Sequence, residues 1–427
     1  MGSAGKMTPL YDWHVANAAN MASFGDYKMP LWYPAGMRNE HLAVINAAGI
    51  FDTSHMAVVT LDGAGARMLL QKCFSKDLEN CIGLKRTPLV AGRSVYGLFL
   101  DERGHVIDDS IVSQVNDTLY MVVVNSGMGG VIAALLNAKK TGEAARVIDY
   151  TDRLGKVDIQ GPKAARILAP LLKDESVFAK FPYFSFKGWF AAGVSGVQEV
   201  ELADGTPIVL SRTGYTGEFG FEIFIAREKV NSLWEQLVTA GKDYGLLPCG
   251  LAARDSLRAG AVLPLSHQDI GDWPFIENPW SFAVADKNES GSFDVDFTGA
   301  AALAGMVAAE FTYPFAGFDP RKITASESSY VTDEKDERIG RILTCATDVA
   351  CGRVDGKLIS IATAEADGKP EGFTPKGISC GFVKVDRKLE AGELVFLVDG
   401  KRKIKVEIRK DIRPDRTARK PMAEMLV

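Results

Sequence analysis

The chain predicts an α+β protein of several domains that closes in a small β domain. Three observations point there. Its 427 residues exceed one ordinary domain, and at ~150 residues each they call for about two to four. Up to about residue 300, segments with helical spacing alternate with strand-like segments, and beyond about residue 310 short strands separated by turns dominate.

Taken in order, "TPLYDWHVANAANM" reads as a helix, "FGDYKMPLWYPAG" as a stretch broken by Gly and Pro, and "MRNEHLAVINAAG" as a second helix. "FDTSHMAVVTLDG" alternates like one strand, and "AGARMLLQKCF" returns to helical spacing. "SVYGLFL" and "VIDDSIV" flank the polar turn "DERGH", where Gly104 suits positive φ, so they read as a hairpin. "TLYMVVV" and "VIAALLNAKK" complete a mixed block ending near Tyr150.

A second block opens with "KVDIQGPKAARILAPLL", where Gly161 and Pro162 introduce a helix. It runs through "SRTGYTGEFGFEIFI" to the helix "EKVNSLWEQLVTAGKDYG", closing at Gly245. Residues 248 to 290 are loops rich in Gly and Pro. After residue 310 come "RIGRILTCAT", "GISCGFVKV", "ELVFLV" and "KIKVEIRK", with "ITASESSYVTDEKDE" expected as an exposed hairpin or loop.

Composition removes several function classes. The chain is 47% hydrophobic and 24% charged, which argues against disorder, and a net charge of -5 is too mild for a surface built to bind nucleic acid. No run of ~18 apolar residues appears, so no helix is expected to span a membrane. The opening MGSAGK reads as a vector remnant before a native start near Met7, no leader follows it, and a cytoplasmic location is the default. The six cysteines (Cys73, Cys81, Cys249, Cys345, Cys351, Cys380) show no CxxC spacing and read as reduced thiols. Five histidines (His14, His41, His55, His105, His267) show neither HxxxH nor HExxH, so no metal site is expected.

Other motifs read blandly. "NSGMGGVIAALL" has Ile132 where a dinucleotide loop needs its third glycine and no series of βαβ units around it, so it is a strand-to-helix turn. No GxSxG elbow supports a serine hydrolase. The basic tail from Lys401 to Lys420 reads as a solvated edge strand, the sharper alternative being a docking surface for an acidic partner.

Three segments resist such accounts. "SRTGYTGEFGFEIF" crowds glycines around Tyr215, Glu218 and Glu222, and Glu222 sits between Phe221 and Ile223. "CGLAARDSLRAGAVLPL" places Arg254 and Arg258 four residues apart on one helix face, suited to binding a carboxylate or holding acidic side chains. "GHVIDDSIV" carries adjacent aspartates in a β-branched stretch. Alternate strand residues share a face, so Asp109 lies with Ile107 and Ile111, and Asp108 with Val106, Ser110 and Val112. On that reading Asp109 is the better candidate for the buried carboxylate, which must then be neutral, paired or multiply hydrogen-bonded. The alternative, that both bond turn amides, stays open on composition alone.

With these segments in view, the chain resembles the glycine cleavage T-protein family of tetrahydrofolate-dependent aminomethyltransferases. The match runs in order through "TPLYDWH", "FDTSHM", "GHVIDDSIV", "DIQGPKAA", "RTGYTGEFGFEI" and "GLAARDSLR" to the terminal strands. The resemblance implies a three-domain cloverleaf with a C-terminal small β-barrel domain. The first α+β domain would take residues 1–58 and 152–247, the second 59–151 and 248–300, with a folate channel between them, and the β domain 301–427. It also implies that tetrahydrofolate accepts an aminomethyl group from the lipoyl arm of a carrier protein, with release of ammonia. Carried over by position, Asp109 is the catalytic aspartate beside the reactive folate nitrogens, Tyr215 and Glu222 bind the pterin, Arg254 binds folate, and Asn125 in "VVVNSG" lines the channel. The chemistry agrees: a carboxylate such as Glu222 can accept from a pterin's amino group and ring N–H together, and an arginine matches the carboxylates of a folate tail.

The chain departs from the family where the one-carbon donor enters. "LPLSHQDIGDWPFIENPWSF" replaces a Tyr-Gly-Asn-Asp stretch and brings His267, Gln268, Trp273 and Trp280, and "FGDYKMPLWY" with Tyr33 replaces "FAGW". Tyr33, His267, Trp273 and Trp280 are therefore expected to contact the donor. The leading expectation is aminomethyl transfer to tetrahydrofolate. The alternatives are a tetrahydrofolate-dependent demethylase of a small methylated sulfonium, amine or aryl ether, and a non-catalytic folate-binding protein, whose KGCYxGQ motif is absent.

Overall fold

A computed structural model describes residues 5–191 and 193–426. The four residues at the start of the expected vector remnant lie outside this range, whereas Lys6 and Met7 form a short strand beside Tyr27 and Lys28. The chain is α+β and builds two larger sheets, the first mixed and the second antiparallel throughout, followed by a closed barrel.

The first sheet has six strands, in the order Phe186–Lys187, Val209–Ser211, Gly220–Ala226, Leu154–Gln160, Ala48–Asp52, Leu246–Pro248. Its central strand, Leu154–Gln160, runs antiparallel to both neighbours and sets Asp158 opposite Glu222 on one side and Phe51 on the other. Val157 and Ile159 face the apolar core formed with Leu233, Trp234 and Leu237 of the helix Val230–Gly241. By strand alternation Lys156, Asp158 and Gln160 share the opposite face, and all three are buried.

The second sheet has five strands, in the order Arg93–Leu100, Val106–Gln114, Leu119–Val124, Ala57–Asp62, Arg146–Asp149, with the helices Ala66–Cys73 and Gly129–Lys139 in its core. "FDTSHMAVVTLDG", expected as one strand, is two strands in two different sheets. The polar run between them is the reason: Asp52 Oδ1 accepts from the Ser54 amide at 2.9 Å and Met56 N–H bonds Thr53 C=O at 3.1 Å, a turn that carries the chain from one sheet to the next. The expected hairpin is present, with Gly104 at φ 78°.

The six-stranded barrel closes through Phe311–Gly317, Ile378–Val385, Arg338–Asp348, Ser329–Thr332, Leu394–Asp399 and Arg402–Ile408. Two expectations change here. Part of "ITASESSYVTDEKDE" is a barrel strand, with Ser329, Val331 and Thr332 buried. Arg402–Ile408 is no edge strand, because it pairs with Leu394–Asp399 on one side and Phe311–Gly317 on the other. Beyond it the basic tail turns inward: Arg413 is fully buried and bonds Asp348 of the barrel at 2.7 Å, Glu218 of the first unit at 3.2 Å, and the Thr216 carbonyl. The helix Leu251–Gly260 packs against both the barrel strand Arg338–Asp348 and the helix Gly36–Asn46, so it joins the units.

Candidate functional site

The site begins with a bulge. Leu98 pairs with Asp109 and Phe99 with Asp108, but Leu100 pairs with Val106, so Ile107 is an extra residue that re-aims the aspartates following it. Asp108 is the fully buried member of the pair and Asp109 keeps partial exposure, the reverse of the expectation. The two isoleucines did not decide burial, since Ile107 is itself the bulged residue and only partly buried.

Asn125, at the end of the strand Leu119–Val124, clamps both carboxylates. Its Nδ2 donates to Asp108 Oδ1 and Asp109 Oδ1 at 2.8 Å each, and its backbone N–H donates to Asp108 Oδ2 at 3.0 Å. The Tyr96 hydroxyl donates to Asp109 Oδ2 at 2.9 Å. Removal from water, followed by the charge of Asp108, pushes the Asp109 carboxyl up to about 6, so it exchanges its proton near neutrality. Burial, reinforced by Asp109, pushes the Tyr96 phenol well above its ordinary range, so Tyr96 acts as a donor.

The loop after the helix Leu251–Gly260 reaches the same pair. Ser266 Oγ lies 3.3 Å and His267 Nε2 3.7 Å from Asp108 Oδ1. His267 stands at φ 62° with its side chain half exposed, and its contact with Asp108 raises its affinity for a proton. Asp269 anchors this loop by accepting from the Leu265 amide at 2.9 Å, from Thr344 of the barrel at 2.6 Å, and from Arg258.

A second group lies on the first sheet and on that helix. Arg254 Nη1 donates to Asp158 Oδ2 at 2.8 Å, and its guanidinium sits 4.9 Å from the Tyr215 ring. Asp158 Oδ1 accepts from Lys156 Nζ at 2.6 Å, and Lys156 donates to Glu222 Oε1 at 2.6 Å. The second Glu222 oxygen accepts from Thr213. Burial raises the Asp158 carboxyl, but the charges of Lys156 and Arg254 outweigh it and leave Asp158 below its usual range. The two groups meet through Tyr215, whose hydroxyl donates to the Pro264 carbonyl at the root of the Ser266–His267 loop.

Of the expected residues, Asp109, Asn125 and His267 fall in the first group and Tyr215, Glu222 and Arg254 in the second. Trp280 belongs to neither, because it is a core residue: it is 1% exposed, its indole N–H donates to the Val262 carbonyl at 2.9 Å, and its ring packs on Phe382. Tyr33 is likewise 2% exposed, with its hydroxyl on His14 Nδ1 at 2.8 Å, and offers no free polar group to a donor. Trp273 is half-buried against the barrel, with Lys384 Nζ 5.0 Å and Arg341 5.5 Å from its rings. Sequence reasoning missed Tyr96, Thr213, Lys156 and Asp158. The last two had a signal, since in "KVDIQ" the polar residues fall at every second position of a strand.

Comparison with known proteins gives one consistent result. The GCVT N-terminal domain family matches residues 10–274. An aminomethyltransferase of Symbiobacterium thermophilum is 37% identical over 308 residues, covering 71% of this chain and 76% of that protein. One from Alkaliphilus oremlandii is 32% identical over 340 residues, covering 79% and 85%. Among solved structures, the glycine cleavage system aminomethyltransferase T of Bartonella henselae superposes with a TM-score of 0.72 at 26% identity, covering 95% of this chain and 96% of that one.

Proposed function

The chain belongs to the GCVT family, and on that premise we propose that it is a tetrahydrofolate-dependent aminomethyltransferase. Bound tetrahydrofolate would supply the nitrogen nucleophiles that take the carbon from a lipoyl-bound aminomethyl group, with ammonia and the free lipoyl thiol leaving. The observation that carries this reading is Asp109, a part-exposed residue whose carboxyl is gripped at one oxygen by Asn125 and at the other by Tyr96 and exchanges its proton at about 6. Such a group holds a proton and gives it up within the same cycle near neutrality.

The residues suit the ligand. The Arg254 side chain uses one N–H on Asp158 and makes no other hydrogen bond among the described residues, so the rest of its donor edge is free for an anion or carbonyl. Glu222 holds two protein donors, and a carboxylate has about four acceptor positions, which leaves room for the N–H groups of a pterin. Tyr215, half-buried between the two groups, offers a ring face. In this reading Asn125 shapes the site by holding the acid pair; all three of its contacts with Asp108 and Asp109 carboxylates are internal to the protein.

A second reading, demethylation of a small methylated metabolite, is favoured by one observation. The half-exposed His267 adds a titratable group beside Asp108, in a segment where the chain departs from the family. The deciding experiment measures ammonia release with a lipoyl carrier protein charged with an aminomethyl group, beside methyl transfer to tetrahydrofolate from methylated sulfonium, amine and aryl-ether donors. Ammonia release supports aminomethyl transfer, and methyl transfer without ammonia release replaces it with the second reading.

No helix among the described residues is long and apolar enough to cross a membrane.

A further inference from the structure

Glu222 and Arg254 reach the site from different elements, the strand Gly220–Ala226 and the helix Leu251–Gly260, yet they are not independent. Three hydrogen bonds connect them: Arg254 to Asp158, Asp158 to Lys156, and Lys156 to Glu222. Lys156, Asp158 and Glu222 are all buried, and Thr53 adds a bond to Asp158 at 2.8 Å. Two cations and two anions balance the charge, and every link is a charge-assisted hydrogen bond, buried except at Arg254, which keeps partial exposure.

The shortness of this chain bears on what Arg254 reads. A folate is long, with its pteridine at one end and its glutamate carboxylates at the other. Two residues joined through one lysine and one aspartate attend to the same end of such a ligand. The Arg254 guanidinium also lies over the Tyr215 ring, 4.9 Å from its centroid, so the arginine shares its place with a stacking surface.

We propose that Lys156 and Asp158 are positioning residues that bind Glu222 and Arg254 into a single unit recognising the pteridine end of folate, leaving the glutamate tail to other contacts. This rests on the folate-binding reading given above. Asp158 holds the guanidinium by one N–H and turns the others outward. Lys156, with Thr213 on the far oxygen, fixes the Glu222 carboxylate so that its remaining lone pairs face the ligand. The pair touches no reacting atom, and its action is on affinity.

The test compares two ligands, tetrahydrofolate and a tetrahydropterin lacking the aminobenzoyl-glutamate tail, on the parent protein and on Asp158→Asn, by calorimetry or competition. Both ligands are expected to weaken by about tenfold or more, and by the same factor, with kcat changing much less than KM for tetrahydrofolate. A loss confined to the tailed ligand, an unchanged affinity for both, or a parent protein that ignores the tail-less pterin at millimolar concentration each overturn the proposal. Lys156→Gln gives the same comparison if Asp158→Asn does not fold. A merely structural role would lower the folded fraction of both variants while leaving the affinities of the folded protein alone. Failure of the parent protein to bind tetrahydrofolate at all is a different result, which removes the folate reading itself.

Discussion

Asp108 and Asp109 accept from the same nitrogen: Asn125 Nδ2 stands 2.8 Å from one oxygen of each. Adjacent carboxylates in a poorly hydrated place repel, and one shared donor between them lowers that cost for both. Because Asp109 is the member with partial exposure and a carboxyl pushed up to about 6, the proposed function assigns the proton chemistry to it and leaves Asp108 to hold the geometry.

Asp109→Asn is expected to abolish turnover while leaving the dissociation constant for tetrahydrofolate within a few-fold of the parent. Steady-state rates and a binding isotherm on the same preparation check this. An active variant would remove Asp109 from its assigned role.

The acidic limb of the rate profile should lie near pH 6, where Asp109 loses its proton. Asn125→Leu withdraws the shared donor, which favoured the ionised pair, so the limb should move to higher pH. It should also cost about 1–3 kcal/mol of stability, because the Asp108 carboxylate is left short of partners. A limb that stays in place would mean that the profile reports another group.

The same residue predicts a pH dependence of stability. An unfolded aspartate titrates near 3.8, so the folded protein binds this proton more tightly than the unfolded chain does. The stability contributed by Asp109 is therefore fully present below that value and is lost as pH rises through about 6. Asp109→Asn cannot ionise, and its melting temperature relative to the parent should rise between pH 5 and pH 8. A constant difference would show that the burial of Asp109 does not perturb it.

Arg413→Met should destabilise the protein by about 3–5 kcal/mol in urea unfolding, since it leaves the buried Asp348 and Glu218 without their shared cation. Trp280→Ala should cost a similar ~3–5 kcal/mol by opening a core cavity. Trp280→Phe, which keeps most of the ring, should leave KM for the one-carbon donor unchanged. A donor KM that moves with Trp280→Phe would return this residue to the site.

The legibility of these features in the sequence follows the range of the forces behind them. Gly104 marked its hairpin because a tight turn is decided within a few residues, and the short apolar run in "ELVFLV" and the alternation in "KIKVEIRK" marked strands for the same reason. The inversion of Asp108 and Asp109 was not legible, because it depends on Ile107 being extra in a pairing with Leu100 and Phe99 that no local pattern encodes. Tyr33 and Trp280 looked like donor contacts from their place in divergent segments. Their burial is decided by His14 and by Phe382, neither of them a neighbour in sequence. Lys156 and Asp158 showed their shared face, but what makes that face a network is Glu222 on the adjacent strand and Arg254 on a helix almost a hundred positions away.

The inward turn of the basic tail has a thermodynamic consequence. Arg413 bonds the barrel through Asp348 and the glycine-rich loop through Glu218 and the Thr216 carbonyl, one residue from Tyr215. Thr417 and Ala418 bond the same loop at Glu218 and Gly217. Whatever steadies Tyr215 thus steadies the attachment of the barrel, and by reciprocity a loosened barrel weakens the grip at Tyr215. A ligand held at Tyr215 should therefore slow proteolysis of the barrel.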